Sequence, residues 1–241
     1  MRMKIGGLNK FSLSDFPGLV AAVVFTQGCN FRCPFCHNGS LIPCDVPDGL
    51  LIPEETFFRF LEVRRSQFDG VVVTGGEPTI QPDLSAFLYR SKAMGFSVKL
   101  DTNGGQPQVL RRLLKDELID FIAMDIKAPF AIYDRLTGVH PPISQIKESI
   151  ELIANSNIGH EFRTTVVEPL LSPEDLLSIK KLVPPGSRHR FQKFHPEHAL
   201  DPSLRKYGNV SVDRDLNSKI GVSNNEPKYF SRCCKKQISR G

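Results

Sequence analysis

Three cysteines fall within eight residues, Cys29-Asn30-Phe31-Arg32-Cys33-Pro34-Phe35-Cys36, a C-x3-C-x2-C spacing. Thiolates this close can reach three corners of one iron–sulfur cluster. Three ligands for four irons leave one iron open, and an open metal position is what catalysis requires. The same spacing also suits structural zinc, which needs a fourth ligand, and His37 and Cys44 are the nearby candidates. The adjacent pair Cys233-Cys234 makes a poor staple or ligand set, and with Cys44 it reads as inert.

Other polar residues sit where chemistry could use them. In Thr74-Gly75-Gly76-Glu77-Pro78 the paired glycines let a ligand approach the backbone, and Glu77 offers an acceptor for a cation. An ordinary Gly-Gly turn has the same composition. Asp101-Thr102-Asn103-Gly104 and Met124-Asp125-Ile126-Lys127 each close a β-rich run, and barrel enzymes build their sites at the C-terminal ends of strands. Taken singly, Lys127 reads equally as a surface charge and Met124 as core. Arg163 lies inside the β-branched stretch Glu161–Val167, where a charge is costly unless paired, so it suggests an inward anion contact. His195, in Phe194-His195-Pro196, and His37, after Cys36, are as compatible with structural as with functional roles. By composition Asp15-Phe16-Pro17-Gly18 is a turn before the first strand.

The elements that must hold these residues alternate. Strands are expected at Ala21–Thr26, Val71–Thr74, Ser97–Asp101, Phe121–Asp125, Glu161–Val167 and Arg190–Phe194. Amphipathic helices are expected near 54–66, 82–94, 107–118, 144–155 and 173–182. The last opens on a capping Ser172, Pro173 at the first helical position, then Glu174 and Asp175 near the positive end of the helix dipole. Six β-runs alternating with five helical ones argue for a parallel α/β sheet. About 200 residues would cramp an eight-unit barrel, for which ~250 is typical, so an incomplete (β/α)6 barrel fits better. The expected domain spans 1–204, followed by an irregular, extended tail over 205–241.

The net charge of +5 is confined to that tail: six basic residues in 217–241 face Glu226 alone, so residues 1–216 are neutral overall. A solvated basic tail explains this without a nucleic-acid partner. No run of eighteen apolar residues occurs, and the first residues lack the apolar core of a secretory signal, so a cytoplasmic protein without a membrane span is expected. In a reducing compartment clustered cysteines are more often metal ligands than disulfides.

The cysteine run, with Phe35 at its aromatic position, resembles the signature of the radical S-adenosylmethionine (SAM) superfamily. From Gly6 to about His195 the chain is similar to the glycyl-radical-enzyme activating group. Within that group it most resembles the activating proteins of anaerobic ribonucleoside-triphosphate reductase. The resemblance is carried by Asp15–Gly18, Val23–Asn38, Thr74–Pro78, Lys99–Gly104, Ala123–Pro129 and Glu161–Val167. It implies a [4Fe–4S] cluster on Cys29, Cys33 and Cys36. It also implies SAM contacts from Phe35, Gly75, Gly76, Glu77, Asp101, Thr102, Asp125, Lys127, Arg163 and His195, and a monovalent-cation site at Asp101, Thr102 and Met124. Asp15 would face the target peptide. The implied reaction is reductive cleavage of SAM and hydrogen abstraction from a glycine of a partner enzyme, anaerobic ribonucleotide reductase, with electrons from a flavodoxin- or ferredoxin-like donor. The alternatives are peptide modification, a different glycyl-radical partner, or a non-catalytic zinc-bound interaction module.

Overall fold

The computed structural model describes residues 2–207. Seven strands form one sheet in sequential order: β1 (Ile5–Ser12), β2 (Ala21–Thr26), β3 (Gly70–Gly75), β4 (Ser97–Thr102), β5 (Phe121–Asp125), β6 (Gly159–Val166) and β7 (Arg188–Lys193). β1 runs antiparallel to β2, and every later neighbour pair is parallel. The connecting helices are α1 (Glu54–Val63), α2 (Leu84–Ala93), α3 (Pro107–Lys115), α4 (Tyr133–Thr137), α5 (Ile143–Ala154) and α6 (Pro173–Lys180).

Side-chain alternation along the strands explains the layering. Ala22, Val24, Val71, Val73, Val98, Leu100, Ile122 and Phe162 are fully buried in one large core with Phe57, Phe58, Phe87, Leu110, Ile146 and Ile150 of the helices. The opposite face is apolar only toward the strand N-termini, where Phe16 packs with Ala21, Val23 and Val72. Toward the C-termini the same face carries Asp101, Asp125 and Arg163. Among the described residues, a singly wound sheet with β1 and β7 at its edges is the expected incomplete barrel of six parallel strands, with an antiparallel strand added in front.

β1 was not among the expected strands. Two glycines, Gly6 and Gly7, dilute its β signal, and its pairing with β2 is irregular between Ile5 and Gly7 and between Asn9 and Ser12. α4 was also missed; it is five residues long and stops at Gly138, whose φ of 66° is the left-handed helix cap. α6 begins as expected. Ser172 Oγ accepts from the Asp175 amide and Asp175 Oδ2 accepts from the Ser172 amide, a reciprocal capping box.

A short helix at Pro202–Lys206 spans the expected domain boundary, and Arg205 Nε donates to the Ala199 carbonyl. The rest of the expected tail, with Cys233 and Cys234, lies outside the described residues. Among the described residues no helix is long and apolar enough to cross a membrane.

Candidate active site

The loop after β2 folds over the C-terminal ends of the parallel strands and closes a cavity of about 260 Å³. Cys29, Cys33 and Cys36 all line it, together with Phe35, Gly75, Gly76, Glu77, Asp101, Thr102, Asp125, Lys127 and Arg163. Residues spread over more than 130 positions of sequence thus meet in one place because each follows a strand or lies in its C-terminal half.

The glycines are needed for contact between loops. Gly75 has φ 112°, and a methyl on Gly76 would overlap the Gly28 carbonyl. The Gly76 amide donates to Thr26 O at 2.9 Å and the Glu77 amide to Gly28 O at 2.8 Å, which lays this segment along the start of the cysteine loop. Arg32 N–H donates to Thr137 O at 2.7 Å, so the unexpected α4 supports the same loop from the other side.

A charge network floors the cavity. Arg163 donates through Nε to Asp125 Oδ1 at 2.8 Å and through a terminal nitrogen to Asp101 Oδ2 at 3.1 Å. Lys127 Nζ donates to Asp125 Oδ2 at 2.9 Å, and Lys99 pairs with Asp101. Burial alone would raise both carboxyls, but Arg163 in each case, then Lys99 for Asp101 and Lys127 for Asp125, hold them below the usual carboxylate range. Arg163 and Lys127 remain charged for the converse reason. The cost of placing Arg163 in a strand is therefore met by pairing, as its sequence setting required. Burial pushes the Cys29 and Cys33 thiols up to about 12 and about 11, so a metal must displace their protons to bind.

Three of the expected residues, Met124, His195 and Asp15, are not among those lining the cavity. Met124 is fully buried in the helix-side core, with its side chain against Gly104, and Asp101 is already neutralised by Lys99 and Arg163. Of the three residues expected at a cation site, Asp101 and Thr102 line the cavity and the Met124 side chain does not. His195 does not line the cavity: its amide donates to His37 Nε2 at 3.2 Å, and His37, stacked on Phe194, takes the lining position. Asp15 accepts from Ser12 Oγ at 2.5 Å in the turn before β2, at the opposite end of that strand from Cys29. Thr165 and Gln192, both lining, were not singled out in the sequence; each ends an inward-facing row of β6 or β7, and only the strand register reveals it.

A family model described as the radical SAM superfamily matches residues 23–183. The chain belongs to the radical SAM superfamily. A Methanocaldococcus jannaschii protein named as a glycyl-radical enzyme activating enzyme is 34% identical over 86% of this chain and 86% of its own length. The pyruvate formate-lyase-activating enzyme of Clostridium pasteurianum is 32% identical over 98% of each chain. Among solved structures, SuiB of Streptococcus suis bound to its precursor peptide SuiA superposes with a TM-score of 0.61 at 17% identity, covering 83% of this chain and 44% of that longer one. At that identity the superposition speaks to the fold alone. This is a radical SAM enzyme whose cofactors are a [4Fe–4S] cluster and SAM.

The donor set fits that cluster. Cys29, Cys33 and Cys36 are free thiols spread around the cavity wall, whereas among the described residues no three His, Cys, Asp or Glu side chains converge as a single ion requires. Cys44, the candidate fourth zinc ligand, is exposed and does not line the cavity.

Proposed function

We propose that this enzyme activates a glycyl-radical enzyme, and that its partner is an anaerobic ribonucleotide reductase supplied with electrons by a flavodoxin- or ferredoxin-like protein in the cytoplasm. The observation that carries the reading is the single cavity shared by three free thiols, the Gly75–Gly76 strand end and the Arg163 network. The similarity to named activating enzymes over most of the chain supports the choice of reaction.

When bound at the three cysteines, the cluster supplies the electron that splits SAM into methionine and a 5′-deoxyadenosyl radical. The protein orients and shields. Gly75 and Gly76 leave their strand end bare for close approach of the methionyl group. Arg163 and Lys127, held by Asp101 and Asp125, present fixed positive charge to the carboxylate without needing to reorganise. Phe35, buried beside Cys33 and Cys36, keeps water from that side. A glycine suits the hydrogen donor, because its bare Cα can enter a confined site.

The test is anaerobic reconstitution with iron and sulfide, then dithionite and SAM, with wild type beside Cys33→Ala. Cluster-dependent 5′-deoxyadenosine that disappears in the variant is the expected result. Addition of anaerobic ribonucleotide reductase should then give a glycyl-radical signal by electron paramagnetic resonance. Product without that signal would redirect the partner assignment, and neither cluster nor product would remove the reading.

A further inference from the structure

Glu77 follows the two cavity glycines and is 1% exposed. Its Oε1 accepts from Thr79 N at 3.0 Å, Thr79 Oγ1 at 2.5 Å and Thr102 Oγ1 at 2.8 Å, and its Oε2 accepts from Asn103 N at 2.7 Å. A carboxylate with four donors from two loops works as a knot between the ends of β3 and β4. It is largely committed before any ligand arrives.

The knot continues to the cysteine loop. Asn103 Oδ1 accepts from the Gly105 amide at 2.9 Å. That amide can only donate, so the orientation of the Asn103 side chain is fixed and its Nδ2 faces the loop. There it donates to Asn30 Oδ1 at 2.8 Å. Asn30 directly follows Cys29. Space at this junction is tight: a Cβ on Gly105 would sit 3.0 Å from both Asn103 Oδ1 and Asn30 Nδ2.

We propose that Asn103 is a positioning residue. Through Asn30 it holds the Cys29 end of the cluster loop in register with the Gly75–Gly76 strand end, so that a ligand bridging the two sides meets both at once. The proposal rests on the reading of the cavity as a SAM site. It gives Glu77 and Asn103 a shared role, with the carboxylate fixing the Asn103 backbone and the amide fixing the loop. Asn103 itself lines the cavity and Asn30 does not, so misplacing the loop through Asn30 weakens bridging binding without removing a lining group.

Asn30→Ala removes the acceptor, whereas Asn30→Asp keeps an oxygen for Asn103 Nδ2. Each reconstituted, dithionite-reduced protein is titrated with SAM, following the SAM-induced change in the cluster's electron paramagnetic resonance spectrum, with iron and sulfide assayed in parallel. We expect wild-type iron content and roughly three- to tenfold weaker SAM binding in Asn30→Ala, the scale of one hydrogen bond between neutral groups. Asn30→Asp should restore binding to near wild type. The double variant Asn30→Ala/Asn103→Ala should bind no more weakly than the worse single variant, because both remove one link. Wild-type affinity in Asn30→Ala, or equal loss in Asn30→Asp, would overturn the latch. So would a loss of iron with unchanged affinity in the loaded fraction. A wild-type protein that binds cluster but shows no SAM-induced change would overturn the reading of the cavity, and the latch with it.

Discussion

Arg163 is 12% exposed at its side chain and bridges two carboxylates of which Asp101 is equally buried. Replacing it with leucine would leave Asp101 and Asp125 facing each other with only Lys99 and Lys127 to offset them. Breaking a buried ion set from one side costs about 3 kcal/mol, so urea denaturation at pH 7 should show a destabilisation of that size. The pH dependence has a definite sign. In wild type both carboxyls ionise below their usual range, so their contribution is present above about pH 4 and is lost as pH falls through the depressed values. In Arg163→Leu burial is opposed by less positive charge and the carboxyls ionise higher, so their penalty fades as pH falls and they protonate. The gap between the two proteins should therefore narrow from pH 7 to pH 4. Gly76 tests the cavity wall by sterics alone. Gly76→Ala would drive a methyl into the Gly28 carbonyl, one residue before Cys29, and iron content after reconstitution should fall sharply. Gly49→Ala, where an added Cβ meets nothing within 4 Å, should reconstitute like wild type.

At the scale of elements, α6 offers a clean separation between stability and site. Its capping box satisfies two end groups, and Ser172→Ala should cost about 1 kcal/mol in thermal or urea denaturation. No α6 residue lines the cavity, so iron content and SAM binding should stay at wild-type levels. The same helix shows why much of the fold was legible. Ser172, Pro173 and Asp175 act on their own turn, so sequence order alone specifies them, and the buried parallel strands announce themselves as unbroken runs such as Val71-Val72-Val73. β1 and α4 were illegible because their stability comes from what they rest on: β1 on β2, and α4 through Thr137 on Arg32 of the cysteine loop. The candidate site divides the same way. The cysteine spacing and the strand-end acids lie in local sequence. The Asn30–Asn103 bond joins residues 73 positions apart and has no local signature. Met124 and His195 lie off the cavity lining for a related reason, since strand parity and a neighbouring ring, neither visible in the motif, decide which side chain reaches the cavity.

For the whole molecule, the barrel and the cysteine loop differ in what holds them. The sheet and helices share one large apolar core that buries Phe57, Phe58, Phe87 and Leu100 completely. Between β2 and α1 the chain contains only two short 3-10 turns; Phe31, Cys33 and Phe35 reach into the same core, and its other ties to the body are individual bonds such as Arg32 N–H to Thr137 O and Asn30 to Asn103. A cluster bound at Cys29, Cys33 and Cys36 would cross-link that loop at three points, and a ligand that binds only the native arrangement suppresses local opening in proportion to its affinity. Loading should therefore leave the far-ultraviolet circular dichroism unchanged while slowing proteolysis in the loop. Arg32, exposed and between two of the cysteines, supplies the reporter for trypsin. Cleavage after Arg32 should be fast in the metal-free protein, slow after anaerobic reconstitution, and fast again in Cys33→Ala under either condition. Arg64 and Arg65, at the end of α1 and outside the loop, are the internal control. Their cleavage should not respond to loading, because the core that holds α1 is already complete. Protection that spread equally to Arg64 and Arg65 would mean that the cluster stabilises the entire barrel, and the division between a self-sufficient core and a metal-ordered loop would have to be abandoned.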